Sequence, residues 1–255
     1  MTSKTQEALV AGQFGPRAAA YVTSAVHARG DDLLQLVEMV RGQAGARLLD
    51  LGCGGGHVSF HVAPEVAEVV AYDLSAEMLA AVAEEARKRS LANIQVECGA
   101  AERLPFADGS FDIVVSRYSA HHWQDFRTGL REACRVLKPG GRAAFIDAIT
   151  PGQPLLDTFL QSIELLRDPS HVRNYSRAEW QRAVVDAGFE LGALTQRRLP
   201  LAFGAWVERM GTPELHVRAI RSLQARMSAE VTAHFEIRED GSFTLDTMTL
   251  DARPA

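Results

Sequence analysis

The sequence predicts an α/β chain with a mostly parallel sheet and helices on both of its faces. Three observations carry this reading. Short apolar runs alternate with helical patterns from residue 46 onward. The first run stops at a cluster of glycines, a turn that open α/β sheets place at the carboxyl end of a strand. The second run is followed at once by an acid, Asp73.

The strand-like runs are 47–51 (RLLDL), 66–72 (VAEVVAY), 94–97, 111–116 (FDIVVS) and 141–149 (GRAAFIDAI). Such short apolar blocks, bounded by turn residues, suit strands covered on both faces. Residues 58–63 can start a helix. The clearest helix is 75–90, with Ser75 as N-cap and Met78, Leu79 and Val82 on one face. Another spans 128–137 and is stopped by Lys138-Pro139-Gly140-Gly141. Before residue 46, stretches 18–28 and 31–40 read as helical. After residue 150, helical patterns over 154–167, 176–187 and 213–227 alternate with strand-like 189–198 and 242–250. No repeat, low-complexity tract or flexible linker divides the chain. One domain over 1–255 is therefore expected, with an N-terminal helical segment (1–45), a binding core (46–150) and a helical cover carrying the last two strands (151–255).

Composition narrows the functional classes. Of 255 residues, 47% are hydrophobic and 23% charged, which excludes a disordered or fibrous chain and supports a core without disulfides. The formal charge of −5 argues against a nucleic-acid partner, which calls for a basic surplus. No apolar run approaches the roughly 18 residues of a membrane helix, and the first residues lack the apolar block of a signal peptide. Cys53, Cys98 and Cys134 are far apart and form no C-x-x-C pair, which predicts a reducing compartment, the cytoplasm.

The sharpest signal is Leu49-Asp50-Leu51-Gly52-Cys53-Gly54-Gly55-Gly56-His57. Glycines here let a ligand approach the backbone with no Cβ in the way. A dinucleotide fingerprint, G-x-G-x-x-G, would need glycine at position 57, which is His57. A P-loop would need G-K-[ST], which is absent. Asp50 would repel a diphosphate and suits a cationic amino group. Asp73, at the second strand end, can accept from both hydroxyls of a ribose. A nucleoside joined to an amino acid fits this set, and S-adenosylmethionine is such a molecule. The competing reading is a tight structural turn with Asp73 as a helix-entry cap.

These motifs resemble the class I S-adenosylmethionine-dependent methyltransferases. LDLGCGGGH resembles the first motif of that family and AYDLSAEML its second-strand acid motif. AERLPFADGSFDIVVS resembles its adenine loop and fourth strand, and RVLKPGG the turn before the fifth. SRYSAHHW and RDPSHVR look like a bacterial small-molecule group akin to the methyltransferases of ubiquinone and menaquinone synthesis. The resemblance implies a Rossmann-like fold with a mostly parallel seven-stranded sheet. It implies that Gly52, Gly54 and Gly56 lie beneath the methionine and ribose portions of S-adenosylmethionine, with Asp50 toward its amino group and Asp73 on the ribose. Leu74 and Met78 would cover the adenine. Cys53 in the glycine loop and Arg117 at the fourth strand end complete the expected cofactor set. The family's adenine loop often reads G-D-A-E-x-L-P-F, but here Ala100 stands at the acidic position. The contact with the adenine amino group would then be lost or supplied by another group, Glu102 being the candidate, while the Ala101 amide could still donate to the ring.

The donor carries an activated methyl, so the protein's expected task is alignment and exclusion of water. A base is needed only for an acceptor that must lose a proton. His121 and His122, just after the fourth strand, are the candidate catalytic residues; a packed or capping histidine is the competing reading for each. Tyr118, Asp147, His171 and Arg173 are expected on the substrate side, and Arg167 belongs to the same polar set. Phe14, Tyr21 and His27 are candidates for a cover over the cofactor, against ordinary core packing. His57 and His61 are four apart, but no further metal-ligand pattern accompanies them, so no metal site is expected. No N/D-P-P-Y/F signature follows the fourth strand, which argues against DNA bases or glutamine amides as acceptors. The leading expectation is transfer to oxygen or carbon of a small organic acceptor. The alternatives are an RNA or protein methyltransferase and a cofactor-binding protein without turnover. Oligomeric state has no signal in the sequence.

Overall fold

The computed structural model describes residues 5–22 and 30–255. Its centre is a seven-stranded sheet made of β1 (Arg47–Leu51), β2 (Glu68–Asp73), β3 (Ile94–Cys98), β4 (Phe111–Arg117), β5 (Leu137–Ile149), β6 (Phe189–Leu201) and β7 (Phe243–Pro254). The spatial order is β3-β2-β1-β4-β5-β7-β6. The first five of these strands pair in parallel, and β7 runs antiparallel to both β5 and β6. Every expected strand is present, and the fold is the Rossmann-like one.

The alternation of side chains along β1 shows why the sheet needs two covers. Leu49 and Leu51 point to one face with Val70, Val114 and Phe145; there they meet α6 (Phe126–Val136) and α8 (Arg177–Asp186) through Phe126, Leu130, Trp180 and Val184. Leu48 points to the other face with Val69, Ile113 and Ala144, under α3 (Asp31–Val40) and α4 (His57–Val62). A strand flanked by others and buried on both faces must be apolar throughout, and Asp50 is the exception that marks the site. The helix starts follow capping rules. The Ser75 hydroxyl accepts from Met78 N at the head of α5 (Ala76–Lys88). Asp125 caps α6 through Thr128 N, and Ser176 with Glu179 forms a capping box on α8.

Three further helices stack on β5–β7 with α7 (Pro154–Arg167): α9 (Phe203–Met210), α10 (Glu214–Gln224) and α11 (Ala229–His234). Their core includes Phe159, Ile163, Trp206, Ile220, Phe235 and Leu245. Ahead of the sheet lie α1 (Gln6–Phe14) and α2 (Ala18–Val22).

The differences from the sequence reading are local. The expected helix over 18–28 runs beyond the described residues after Val22. Helices α1, α9 and α11 fall within the expected helical segments, although the sequence reading gives them no bounds of their own. Strand β5 starts at Leu137, before the expected glycine stop, because Phe111 pairs with Leu137 and Ile113 with Arg142, so the Lys138–Gly141 segment is accommodated as an irregularity within the strand. The positive φ of Gly140 permits it.

Leu48 is fully buried against α3 and α4. Leu48→Ala is expected to lower stability by about 2–5 kcal/mol, read as a reduced denaturant midpoint with an unchanged slope.

Candidate active site

The carboxyl ends of β1, β2 and β4 open into a cleft of about 1070 Å³. Between β1 and α4 the chain turns at Gly52, Gly54 and Gly56, all with positive φ. Two amides of the turn, Gly52 and Cys53, donate to the Tyr72 carbonyl on β2 at 2.8 and 3.0 Å. A Cβ on Gly52 would lie 1.8 Å from the Ser119 hydroxyl, whereas one on Gly54 would project into open space. Gly56 does a different job: its Cβ would strike Phe60 and Val82, so it lets α4 pack closely and does not line the cleft.

Two acids frame the turn. Asp50 is buried, and its Oδ2 accepts from Ser59 N at 3.0 Å and Ser59 Oγ at 2.6 Å. Burial pushes its pKa up to about 6 against the pull of those two bonds. Asp73 accepts from Gly54 N at 2.9 Å and Ser75 N at 3.0 Å. Burial raises its pKa also. Leu74, Met78, Ala101 and Glu102 line the cleft with them, as do Cys53 and Arg117. Ala100 is buried and meets the Tyr72 hydroxyl through its carbonyl. Glu102 accepts from Asp125 N at 3.0 Å. Arg117 is tied to Asp32 of α3 at 2.6 Å.

A second cavity, of about 900 Å³, lies beyond the first. Phe14, Tyr21, Arg117, Tyr118 and His122 line both spaces. His121 lines only the second. Its Nδ1 meets Asp147 Oδ1 at 2.6 Å, and its amide donates to Asp147 Oδ2 at 3.2 Å. Burial pulls the His121 pKa down, but the Asp147 charge and hydrogen bond, with Glu164 and Asp168 behind them, raise it overall. His122 behaves oppositely. Burial first, and then the neighbouring His121 charge, lower its pKa. Its Nδ1 sits 3.2 Å from the Ser170 carbonyl. A carbonyl only accepts, so Nδ1 carries the proton.

A methyltransferase-domain family model matches residues 49–145. The protein YafE of Escherichia coli K12 is 50% identical over 204 residues, covering 80% of this chain and 99% of that one. The structure of the methyltransferase YcgJ of Bacillus subtilis matches with a TM-score of 0.85 and 33% identity, over 88% of this chain and 98% of the other. A 2-phytyl-1,4-naphtoquinone methyltransferase of Synechococcus elongatus is 36% identical over 177 residues, or 67% of this chain and 75% of that enzyme. The chain belongs to the class I S-adenosylmethionine-dependent methyltransferases.

The methyl donor of this methyltransferase is S-adenosylmethionine, and the cleft suits it. The open space over Gly54 admits a ligand against the backbone. A buried carboxylate with a raised pKa, Asp50, favours a cationic partner. Asp73 offers a second carboxylate, and Leu74 and Met78 an apolar wall.

The remaining expected residues divide. Asp147 stands behind His121 and lines neither space. His171 is buried, 3.1 Å from Gln161 Oε1, with its ring 5.7 Å from that of His121. The Arg173 side chain points to Asp157 and Glu179 at 3.0 and 3.4 Å. Only its backbone reaches the site, where Arg173 N and Val172 N donate to the His121 carbonyl. His57 and His61 bond to the Tyr21 and His57 carbonyls. Phe14 and Tyr21 wall the junction of the two spaces, and His27 lies outside the described residues. Among the described residues no group of three or more candidate ligands is placed to hold a metal, and no helix is long and apolar enough to cross a membrane. Sequence reasoning missed Glu164, Asp168 and Arg209, which line the second cavity.

The Asp50 carboxyl titrates near 3.8 when unperturbed and at about 6 in the fold. Between those values the folded state holds a proton that the unfolded chain has lost, so this group's contribution to stability falls as pH rises through the window. Asp50→Asn is therefore expected to gain stability relative to the parent from about pH 4 to about pH 6, measured as the difference between their melting temperatures.

Proposed function

We propose that this methyltransferase acts in the cytoplasm, as a single domain, on oxygen or carbon of a small organic acceptor. The observation that carries the proposal is the second cavity. It adjoins the cofactor cleft and is walled on one side by Leu199, Leu201, Trp206, Met210 and Leu245, the mix of apolar wall and a few polar groups that small-molecule sites show. The naphthoquinone enzyme among its relatives acts on a compound of that general kind. An RNA acceptor finds less support, because a net charge of −5 offers no basic surplus.

Asp50 would face the amino group of S-adenosylmethionine and Asp73 its ribose. Gly52, Cys53 and Gly54 form the floor, Leu74 and Met78 flank the adenine, and the Ala101 amide and Glu102 meet its edge. Bound there, S-adenosylmethionine supplies an electrophilic sulfonium methyl. The protein's part is to hold the acceptor in line, exclude water and take a proton where the acceptor must lose one. His121 is the better base. Asp147 fixes Nδ1–H, which leaves Nε2 to accept the proton. Tyr118 and His122 wall the boundary that the acceptor must reach. His122, held neutral, presents a polar edge without adding a charge.

Incubating the enzyme with labelled S-adenosylmethionine and fractions of a cell extract tests the reading. Label should enter low-molecular-weight products; label confined to RNA or protein would overturn it. Asp73→Ala should weaken binding of S-adenosylmethionine by about 1–3 kcal/mol, as read by calorimetry. His121→Gln should lower kcat on a proton-releasing acceptor by about 10²-fold or more with cofactor affinity unchanged. Because the raised pKa keeps His121 protonated at lower pH, kcat should rise as pH climbs through that value. Asp147→Asn should move the rising limb to lower pH, since it removes the charge that holds the pKa up.

A further inference from the structure

Among the described residues, one guanidinium of the second cavity has no acceptor in the chain. Arg117 is bonded to Asp32. Arg167 pairs with Glu164 at 3.4 Å and donates to the Trp206 carbonyl. Asp168 accepts at Oδ1 from both the amide and the hydroxyl of Ser170, while its Oδ2 is buried without a hydrogen bond, 3.9 Å from His122 Nε2. Arg209 differs. It lies on α9 almost one turn beyond Trp206 and lines the cavity. Among the described residues it makes neither a hydrogen bond nor an ion pair, and its Nε is sealed from solvent with no acceptor.

A guanidinium withdrawn from water without a partner is unfavourable. Burial and the positive charge of Arg167 depress its pKa. The carboxylate that favours its charge, Glu164, is engaged with Arg167. A planar fork of donors left open at a ligand cavity matches a carboxylate or another oxyanion, which it can grip with two parallel bonds.

We infer that Arg209 is the anion-binding group of the acceptor subsite, and that the methyl acceptor carries an oxyanion on a largely apolar body. This inference rests on the small-acceptor reading above and narrows it to organic acids. The apolar body would lie against Leu199, Leu201 and Trp206, and its charged end would turn to α9. Arg209 then sets which acceptors bind and in what orientation.

The test uses the enzyme loaded with S-adenosylhomocysteine, titrated by calorimetry with 1-naphthoate and with 1-naphthamide, its neutral counterpart of similar shape. The parent protein should bind the acid about tenfold or more tightly than the amide. Arg209→Gln should abolish that preference while leaving affinity for the amide and for S-adenosylhomocysteine within about twofold. Arg209→Lys should keep part of the preference, which separates loss of charge from loss of fold. Equal binding of acid and amide by the parent overturns the inference, as does a preference that survives in Arg209→Gln or failure of both probes to bind. If neutral small acceptors are methylated while acid and amide bind equally, the anion subsite is wrong and the small-acceptor reading stands. Methyl transfer confined to RNA or protein would remove the reading itself.

Discussion

A carboxylate buried at the end of a central strand governs this site. Asp50 pairs across to Ala71 on β2 and Val115 on β4, and its almost fully buried carboxylate at the floor of the cleft needs donors from the chain. Ser59 supplies two. That bond pair fixes the first turn of α4 against the end of β1, so the chain between them has only a few residues in which to reverse. Glycines at positive φ make the reversal possible. The same turn aims the Gly54 amide at Asp73. One buried charge therefore sets the loop, and the loop orients the second acid.

The acceptor side follows a different logic, in which neighbours push adjacent residues apart. His121 and His122 have ring centroids only 4.2 Å apart. Two imidazolium ions at that distance in a buried setting would repel strongly. Asp147 stabilises the charge on the first, and that charge helps keep the second neutral. A histidine with a carboxylate behind it and a neutral one beside it have separate chemical uses, although the sequence presents them as identical neighbours.

Legibility in the sequence follows from whether a residue's environment is local. The strands, the glycine turn and Asp73 were readable because strand, turn and acid sit within about two dozen residues and obey fixed spacing. Gly56 has the expected conformation, but it serves helix packing, which depends on Phe60 and Val82 and not on the loop. Arg173 looked like a site residue because it follows His171, yet the short link swings its side chain to Asp157 and Glu179 and leaves its backbone on His121. Arg209 was invisible for the opposite reason. On an amphipathic helix a lone arginine reads as a solvated face. The one available hint was its place three residues after Trp206, which puts both on neighbouring positions of one helix face.

The position of β7 has a consequence for how the chain assembles. This strand comes later in the sequence than β6 yet lies between β5 and β6, so β6 has no sheet partner until β7 has formed. The parallel part of the sheet, with the Asp50 and Asp73 cleft, depends only on segments that precede both. During synthesis the donor side can therefore take shape while the acceptor side, roofed by α7 and α9, still awaits its last strand. Such long-range closure is slow compared with local helix formation. Until it is complete, the outer edge of β5 is unpaired and the apolar sides of α7 and α9 lack Leu201, Phe243 and Leu245, the state most exposed to aggregation.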